Sequence, residues 1–396
     1  MIPKDWNYMA LSDIAIVERG KFSARPRNDP KYYGGDIPFV QTGDVREASG
    51  WLNKHSQTLN ANGLTVSKIF PAGTILITIA ANIGDVAIIK YPVACPDSLV
   101  GIQAKKNTSG IWLMYMLQSM KPKLESFATQ NAQKNINLQV LNPFLVPTPP
   151  LPEQRKIAEI LSIWDEAIAK TERLIAALRE RKKGLMQRLL TGQVRFAGFN
   201  WEWRETELGE FLLPTLRKVE KPEGGYLRLG VRSHGKGTFI STMDDEDSEA
   251  VSMTHLFQVK EGDLIVSITF AWEGAIAIVG KDGDGALVSH RFPTYTFDTS
   301  KVLPEYFRYV MLTKRFFYEL VLISPGGAGR NRVMSKTDFL KLKIRVPPID
   351  EQKKIGGTLV AADEYIGVLS RKLEALQQQK KGLMQRLLTG QVRVRV

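Results

Sequence analysis

Cysteine is almost absent from this 396-residue chain; Cys95 stands alone, so neither an internal disulfide nor a Cys-rich zinc module can form. Histidine is nearly as scarce. His55, His234, His255 and His290 show no metal-ligand spacing, which argues against a His-built metal site. No stretch approaches twenty uninterrupted apolar residues, and the opening Met1-Ile2-Pro3-Lys4-Asp5 lacks a charged-then-apolar leader pattern. A soluble, cytoplasmic protein is expected.

Catalytic constellations are missing as well. Segment 230–237 nearly spells a phosphate-binding loop, but Gly237 stands where a Ser or Thr should hold magnesium. An acidic run follows it instead of a helix that could receive phosphate. Asn142-Pro143-Phe144 lacks a proline of the amino-methyltransferase loop, has no Gly-rich S-adenosylmethionine loop beside it, and reads as the lead into a strand. Pro96-Asp97 with Gln103-Ala104-Lys105 lacks the second carboxylate a nuclease metal pair needs. No Ser-His-Asp order is persuasive. A binding protein fits better than an enzyme.

What is present begins with charge. The apolar fraction of 43% is ordinary, and the length suits two or more domains. The net charge is +13 and the pI near 9.6, which suits a polyanion such as DNA. The excess is uneven: +5 over residues 1–150, +4 over 151–196, zero over 197–346 and +4 over 347–396. Nucleic-acid contact in the third segment must therefore come from a local patch away from Asp244-Asp245-Glu246-Asp247.

The strongest signal is an internal repeat. KKGLMQRLLTGQVR occupies 182–195 and again 380–393, fourteen identical residues at an offset of 198. Pro149-Pro150-Leu151-Pro152-Glu153-Gln154 and Pro347-Pro348-Ile349-Asp350-Glu351-Gln352 share that offset. The chain is thus a duplicated unit, each copy with a variable portion of about 150 residues and a preserved portion of about 45.

Each preserved portion predicts one long helix. Ile157, Leu161, Trp164, Ile168, Thr171, Ile175, Leu178, Lys182, Leu185 and Leu189 recur in steps of four and three, as do Ile355, Leu359, Ala362, Ile366, Leu369, Leu373, Leu376, Lys380, Leu383 and Leu387. That 3.5-residue stripe is a coiled-coil seam. The Pro-Pro pairs start the helices, and Gly192 and Gly390 cap them. At ~1.5 Å per residue, a helix of ~38 residues is roughly 57 Å long. The two stripes are expected to bury each other in antiparallel packing, with a pseudo-twofold relating the halves. Lys182 and Lys380 interrupt both stripes at one place, as snorkelling lysines near a helix end or as a register or docking feature.

The variable portions read as related β-rich domains. Each opens with a tryptophan and a leucine five residues later (Trp6, Leu11; Trp203, Leu208), and each has strand runs broken by glycine around 37–40, 73–78 and 83–88, or 226–229, 262–267 and 274–278. Helical segments follow at 111–124 and 304–322. Polar and basic loops punctuate them. In the first domain these hold Gln41, Thr42 and Arg46, then Asn82, then Gln130, Asn131, Gln133, Lys134 and Asn135. In the second they hold Arg228, Arg232, His234 and Lys236, then Trp272, Arg291, and finally Arg330, Asn331 and Arg332. Arg, Asn, Gln and Lys are the side chains that read base edges in the major groove, although solvated surface loops have the same composition.

Two variable domains, each followed by a Pro-Pro-x-x-Glu-Gln helix ending in GLMQRLLTG, resemble the specificity (S) subunit of a type I restriction–modification enzyme along the whole chain. The resemblance implies an α+β fold: target recognition domains at 1–150 and 197–346, and antiparallel coiled-coil spacer helices at 151–196 and 347–396. It implies a non-catalytic chain that binds double-stranded DNA at an asymmetric bipartite target. Two methyltransferase (M) subunits using S-adenosylmethionine to methylate adenine, and two ATP- and magnesium-dependent restriction (R) subunits, would be its partners. No cofactor or metal would bind this chain itself. A stiff helical rod should then fix the unread spacer between half-sites. Asp165, Glu166, Arg173 and Lys183, recurring as Asp363, Glu364, Arg371 and Lys381, suggest two equivalent docking faces for a partner. A stand-alone DNA-binding or bridging protein is the alternative.

Overall fold

The computed structural model describes residues 2–48, 50–80, 82–128, 135–246, 253–327 and 332–396. The chain divides into two compact units, Met1–Glu172 with Arg371–Val396, and Arg173–Ser370. Both long helices form, Leu151–Leu189 and Ile349–Leu387, each of 39 residues. Glu153 and Asp350-Glu351 sit in the first turns and Arg188 and Arg386 in the last, the arrangement that complements a helix dipole. Gly192 and Gly390 follow the ends at φ +74° and +72°, the left-handed C-terminal position glycine occupies without strain. No helix among the described residues is long and apolar enough to cross a membrane.

In the first unit a five-stranded sheet runs in the order Ala15–Arg19, Leu99–Ala104, Ile75–Thr78, Val86–Ile89, Trp51–Leu52. A four-stranded sheet follows the order Gln57–Leu59, Tyr33–Phe39, Val93–Ala94, Ile69–Phe70. Asn7–Ala10 pairs antiparallel with Leu145–Thr148, Asn7 opposite Thr148, and so ties the start of the domain to the strand that enters the first long helix. The second unit has the order Leu212–Thr215, Thr294–Phe297, Leu264–Val266, Ile276–Ile278, and beside it Lys218–Glu220, His255–Gln258, Leu287–Val288, Tyr226–Val231, Thr238–Met243. Arg204–Glu207 pairs with Lys343–Val346 in the equivalent closing ladder.

The expected strands at 73–78, 226–229, 262–267 and 274–278 are present within a residue or two, that at 83–88 starts three residues later as Val86–Ile89, and that at 37–40 starts four residues earlier as Tyr33–Phe39. Each expected helical segment is instead two helices: Gly110–Ser119 and Lys121–Ser126 in one domain, Pro304–Val310 and Lys314–Leu322 in the other. Pro122, inside the first turn of Lys121–Ser126, cannot continue the preceding helix. Thr313, whose hydroxyl accepts from Phe316 N, starts Lys314–Leu322 anew. The near phosphate loop at 230–237 is a strand end and turn leading into Thr238–Met243. Asn142-Pro143-Phe144 does precede a strand.

The ends of the apolar stripe pack into the two domain cores. Ile157 and Leu161 lie in a core with Trp112, Leu113 and Met116, and Leu387 and Leu388 complete it. Ile355 and Leu359 lie with Phe211, Tyr306 and Phe307, and Leu189 completes that one. Leu383 and Leu185 pack partly buried on the same two cores. The outer thirds of the stripe therefore belong to the domains, whose apolar faces they help to cover. Ile175 and Leu369 are buried too. Trp164, Ile168, Leu178, Ile366, Leu373 and Leu376 are half-buried.

Repeated polar contacts fix the same assembly in each unit. Glu153 and Glu351 are buried carboxylates. Glu153 accepts from Trp6 Nε1 (3.0 Å) and from Arg393 (2.7 and 2.9 Å). Glu351 accepts from Trp203 Nε1 (3.1 Å) and from Arg195 (2.8 and 2.6 Å). These hydrogen bonds raise the pKa of both guanidiniums, and Asp5 adds to the effect on Arg393. Lys380 reaches Asp165 while Lys182 reaches Asp363, each at 2.5 Å. Each lysine also lies over a ring, Tyr115 or Tyr309, 5.1 Å from its centre. Tyr115 donates to Asp165 and Tyr309 to Asp363; burial first, then the carboxylate, pushes both phenols up. The two lysines are therefore not snorkelling. Asp165 and Asp363, expected on outer docking faces, turn inward because a lysine of the other long helix and a tyrosine of the domain helix Gly110–Ser119 or Pro304–Val310 await them there.

Candidate nucleic-acid interface

In the first unit, loops meet at one end of strand Ile75–Thr78. Ile79 N donates to Ser98 O (3.1 Å), and Ile79 O accepts from Ile136 N (3.0 Å). The turn after residue 79, the segment around 96–98 and the segment at 135–136 thus converge. Asn82 lies in the turn, its carbonyl accepting the Thr78 hydroxyl. Asn135 is exposed and bridges Ala80. Gln41 stands before the short helix Thr42–Glu47: its N–H donates to Asp44 Oδ2 (2.7 Å) and its amide to Gln57 Oε1 (3.0 Å). With Gln57, Arg27, Asn28, Tyr33 and Ser98 it lines a cavity of about 530 Å³, and Ser98 connects that cavity to the loop junction. Thr42 is half-buried at the start of the helix and Arg46 exposed near its end.

The second unit builds the same junction from different residues. Ile268 N donates to Arg291 O (3.0 Å), and Ile268 O accepts from Met334 N (2.8 Å). The turn at 232–237 is sewn to the turn at 271–274: His234 N donates to Glu273 O (2.7 Å), Gly235 N to Gly274 O (2.8 Å), and Ser233 Oγ to Glu273 Oε2 (2.7 Å). His234 has φ +62°, a conformation that non-glycine residues avoid unless their surroundings impose it. At Gly235, φ is +63° and an added Cβ would lie 2.2 Å from Leu312 Cδ2. Packing, not phosphate binding, accounts for that glycine.

Arg332 lies over Trp272, 5.3 Å from the ring centre, and Trp272 Nε1 donates to Thr269 O (3.1 Å). Arg232 donates to Thr238 O and lies over Phe239 at 5.2 Å. Lys236 and Arg291 are exposed. Arg228 is exposed but sits within strand Tyr226–Val231, outside the junction. Gln130, Asn131, Gln133, Lys134, Arg330 and Asn331 lie outside the described residues.

Sequence reading passed over Arg27, Asn28 and Gln57. A signal existed: Arg19, Lys21, Arg25, Arg27 and Lys31 crowd thirteen residues that hold only Asp29 as counter-charge. Averaging charge over 150 residues hid it. Arg27 pairs with Asp97 at 2.9 Å, and Arg19 Nε donates to Asp97 O at 2.6 Å.

The profile of the type I restriction modification DNA specificity domain matches residues 3–180 and 202–378. The chain belongs to this family. Among similar specificity-family proteins, the type I restriction enzyme MjaVIII specificity subunit of Methanocaldococcus jannaschii is 23% identical, covering 100% of this chain and 94% of that protein. The putative MjaX specificity subunit of the same organism is 27% identical, over 100% and 95%. Among solved structures, the type I restriction–modification S subunit from M. genitalium superimposes with a TM-score of 0.61 at 15% identity, covering 98% of this chain and 96% of that one. The HsdS subunit from Thermoanaerobacter tengcongensis gives 0.53 at 16%, over 99% and 98%. This specificity-family fold therefore spans both copies of the repeat with its mixed sheets and helices.

Proposed function

We propose that this chain is the DNA-reading, non-catalytic subunit of a type I restriction–modification system in a prokaryotic cytoplasm, and that it recognises an asymmetric target of two half-sites with an unread spacer. The observation that carries the reading is the loop junction built twice, through Ile79, Ser98 and Ile136 and through Ile268, Arg291 and Met334, with unlike side chains around it. A shared frame with different polar tips is what two sequence readers on one chain require. The candidate reading residues are Gln41, Thr42, Arg46, Asn82 and Asn135 in one domain and Arg232, His234, Lys236, Trp272, Arg291 and Arg332 in the other. The repeated exchange of Lys380–Asp165 and Lys182–Asp363 supports an antiparallel coiled-coil pair with pseudo-twofold halves.

The partners in this reading are two adenine-N6 methyltransferase subunits, which hold S-adenosylmethionine, and two restriction subunits, which hold ATP and magnesium; this chain holds neither. Exposed Arg173, Lys183, Arg371 and Lys381 remain on the outer helix faces as docking contacts. Adenine-methylation mapping with and without the chain tests the reading. One asymmetric two-part motif should vanish when the chain is absent. An unchanged methylation pattern would refute it, and DNA binding without a co-purifying methyltransferase would point to a stand-alone bridging protein.

A further inference from the structure

We propose that Arg332, laid on the indole of Trp272, reads the O6 and N7 edge of one guanine, so that the half-site bound by the second unit contains a G·C pair at that place. The inference rests on the DNA-reading role proposed above and adds the base that one named side chain selects.

Three observations carry it. The first is that the guanidinium is positioned. Its carbon lies 5.3 Å from the Trp272 ring centre, and the indole is itself held by Thr269 O at 3.1 Å. Its turn, Ala271–Glu273, closes on Gly274 at φ +73°. The second is that the backbone beyond Arg332 is pinned, because Met334 N donates to Ile268 O at 2.8 Å and Val333 N to Pro325 O at 3.4 Å. The third is that the cation is uncommitted. Among the described residues Arg332 has no salt-bridge partner, whereas Arg217 is taken by Asp263 and Arg195 by Glu351. Arg232, on the neighbouring turn, already donates to Thr238 O. Glu273, the carboxylate nearest in sequence to Trp272, is engaged by the Ser233 hydroxyl.

A phosphate needs only a positive charge within reach, and a mobile lysine serves as well. A guanidinium held over an aromatic ring adds something a phosphate contact does not use: it restricts where a fork can point whose two N–H groups match two acceptors on one base edge. Trp272 is in this account a positioning residue. His234, held at φ +62° on the adjoining turn, belongs to the same rigid rim.

Selection of bound sequences from a random duplex library tests the proposal, using the full-length chain in complex with its methyltransferase partner. Wild type should prefer G·C at one position of one half-site by roughly five- to 150-fold, the discrimination of one bidentate contact. Arg332→Lys keeps the charge but not the fork, so preference at that single position should fall to about threefold or less while the other half-site stays sharp. Trp272→Ala should blur the same position and Trp272→Phe should restore it. Uniformly weaker binding with every base preference intact, or a lost preference for A·T, would overturn the assignment. A wild-type complex that selects no sequence would overturn the DNA-reading role itself.

Discussion

The buried glutamines of the repeated Glu-Gln pair allow a sharp test of how each long helix is joined to its domain. Gln352 Oε1 accepts from Leu303 N (2.9 Å), and its Nε2 donates to Pro347 O (2.9 Å) and Lys301 O (2.8 Å). Gln154 Oε1 accepts from Ser109 N (2.8 Å) and its Nε2 donates to Pro149 O (2.9 Å). Both side chains are buried. Leucine at either position fills the space but makes none of these bonds. Lys301 is exposed and Leu303 and Ser109 are half-buried, whereas Pro149 and Pro347 are buried, so each site keeps one fully orphaned carbonyl and one N–H that water reaches only in part. An orphaned buried group costs about 1–3 kcal/mol, so Gln352→Leu and Gln154→Leu should each cost about 2–4 kcal/mol. Hydrogen exchange read by mass spectrometry measures this locally. Amides at 303–307 should exchange roughly 30- to 700-fold faster in Gln352→Leu, with 109–113 unchanged, and Gln154→Leu should do the converse. Less than about a threefold change at 303–307 would refute the clamp.

Other outcomes follow from the same contacts. Burial pushes the Cys95 thiol up to about 12 from 9.0, so the folded chain keeps its proton where the unfolded chain loses it. That contribution to stability is whole below pH 9 and falls away as pH rises from 9 towards 12; at pH 8 a thiol reagent should label Cys95 only after denaturant is added, and rapid labelling without it would contradict the burial. Lys380–Asp165 is more enclosed than Lys182–Asp363, Asp165 being 20% and Asp363 46% exposed, so Asp165→Asn should lower stability by about 1 kcal/mol and Asp363→Asn by a few tenths at most. Urea titration ranks them, and the reverse order would be wrong for this structure. Residues 1–198 alone carry at 182–195 the sequence that fills the first unit from 380–393. That fragment should form a dimer exchanging those ends, broken by Arg195→Glu; a well-folded monomer by light scattering would contradict the equivalence.

The frame was legible in sequence because its cause is periodic. Fourteen identical residues, a 3.5-residue stripe and glycines past each end placed both long helices to within a residue or two. Glu153, Gln154 and their repeats were visible as a motif, but their work was not. Hydrogen bonds from Trp6, Arg393 and Ser109 reach them across 147, 240 and 45 residues, and no local pattern encodes such distances. The same limit explains Asp165: a charge between apolar positions reads as solvated until a lysine 215 residues away is placed beside it. Among the candidate loops composition pointed to Trp272 and Arg332 separately; that Arg332 lies over the Trp272 ring depends on how Ile268, Arg291 and Met334 are tied together. Arg27 and Gln57 escaped because the sheet, not the chain, assembles their cavity.

The most direct test exchanges one reader for the other on the duplicated frame. Residues 199–346 would be replaced by a second copy of residues 1–148, the equivalent stretch at the 198-residue offset, keeping both long helices, and methylated adenines would be mapped in the presence of the partner subunits. If independent readers sit on equivalent frames, the target becomes two inverted copies of the half-site read by the first domain, with the other half-site gone. A chimaera that folds, assembles and still marks the original asymmetric sequence would contradict the account.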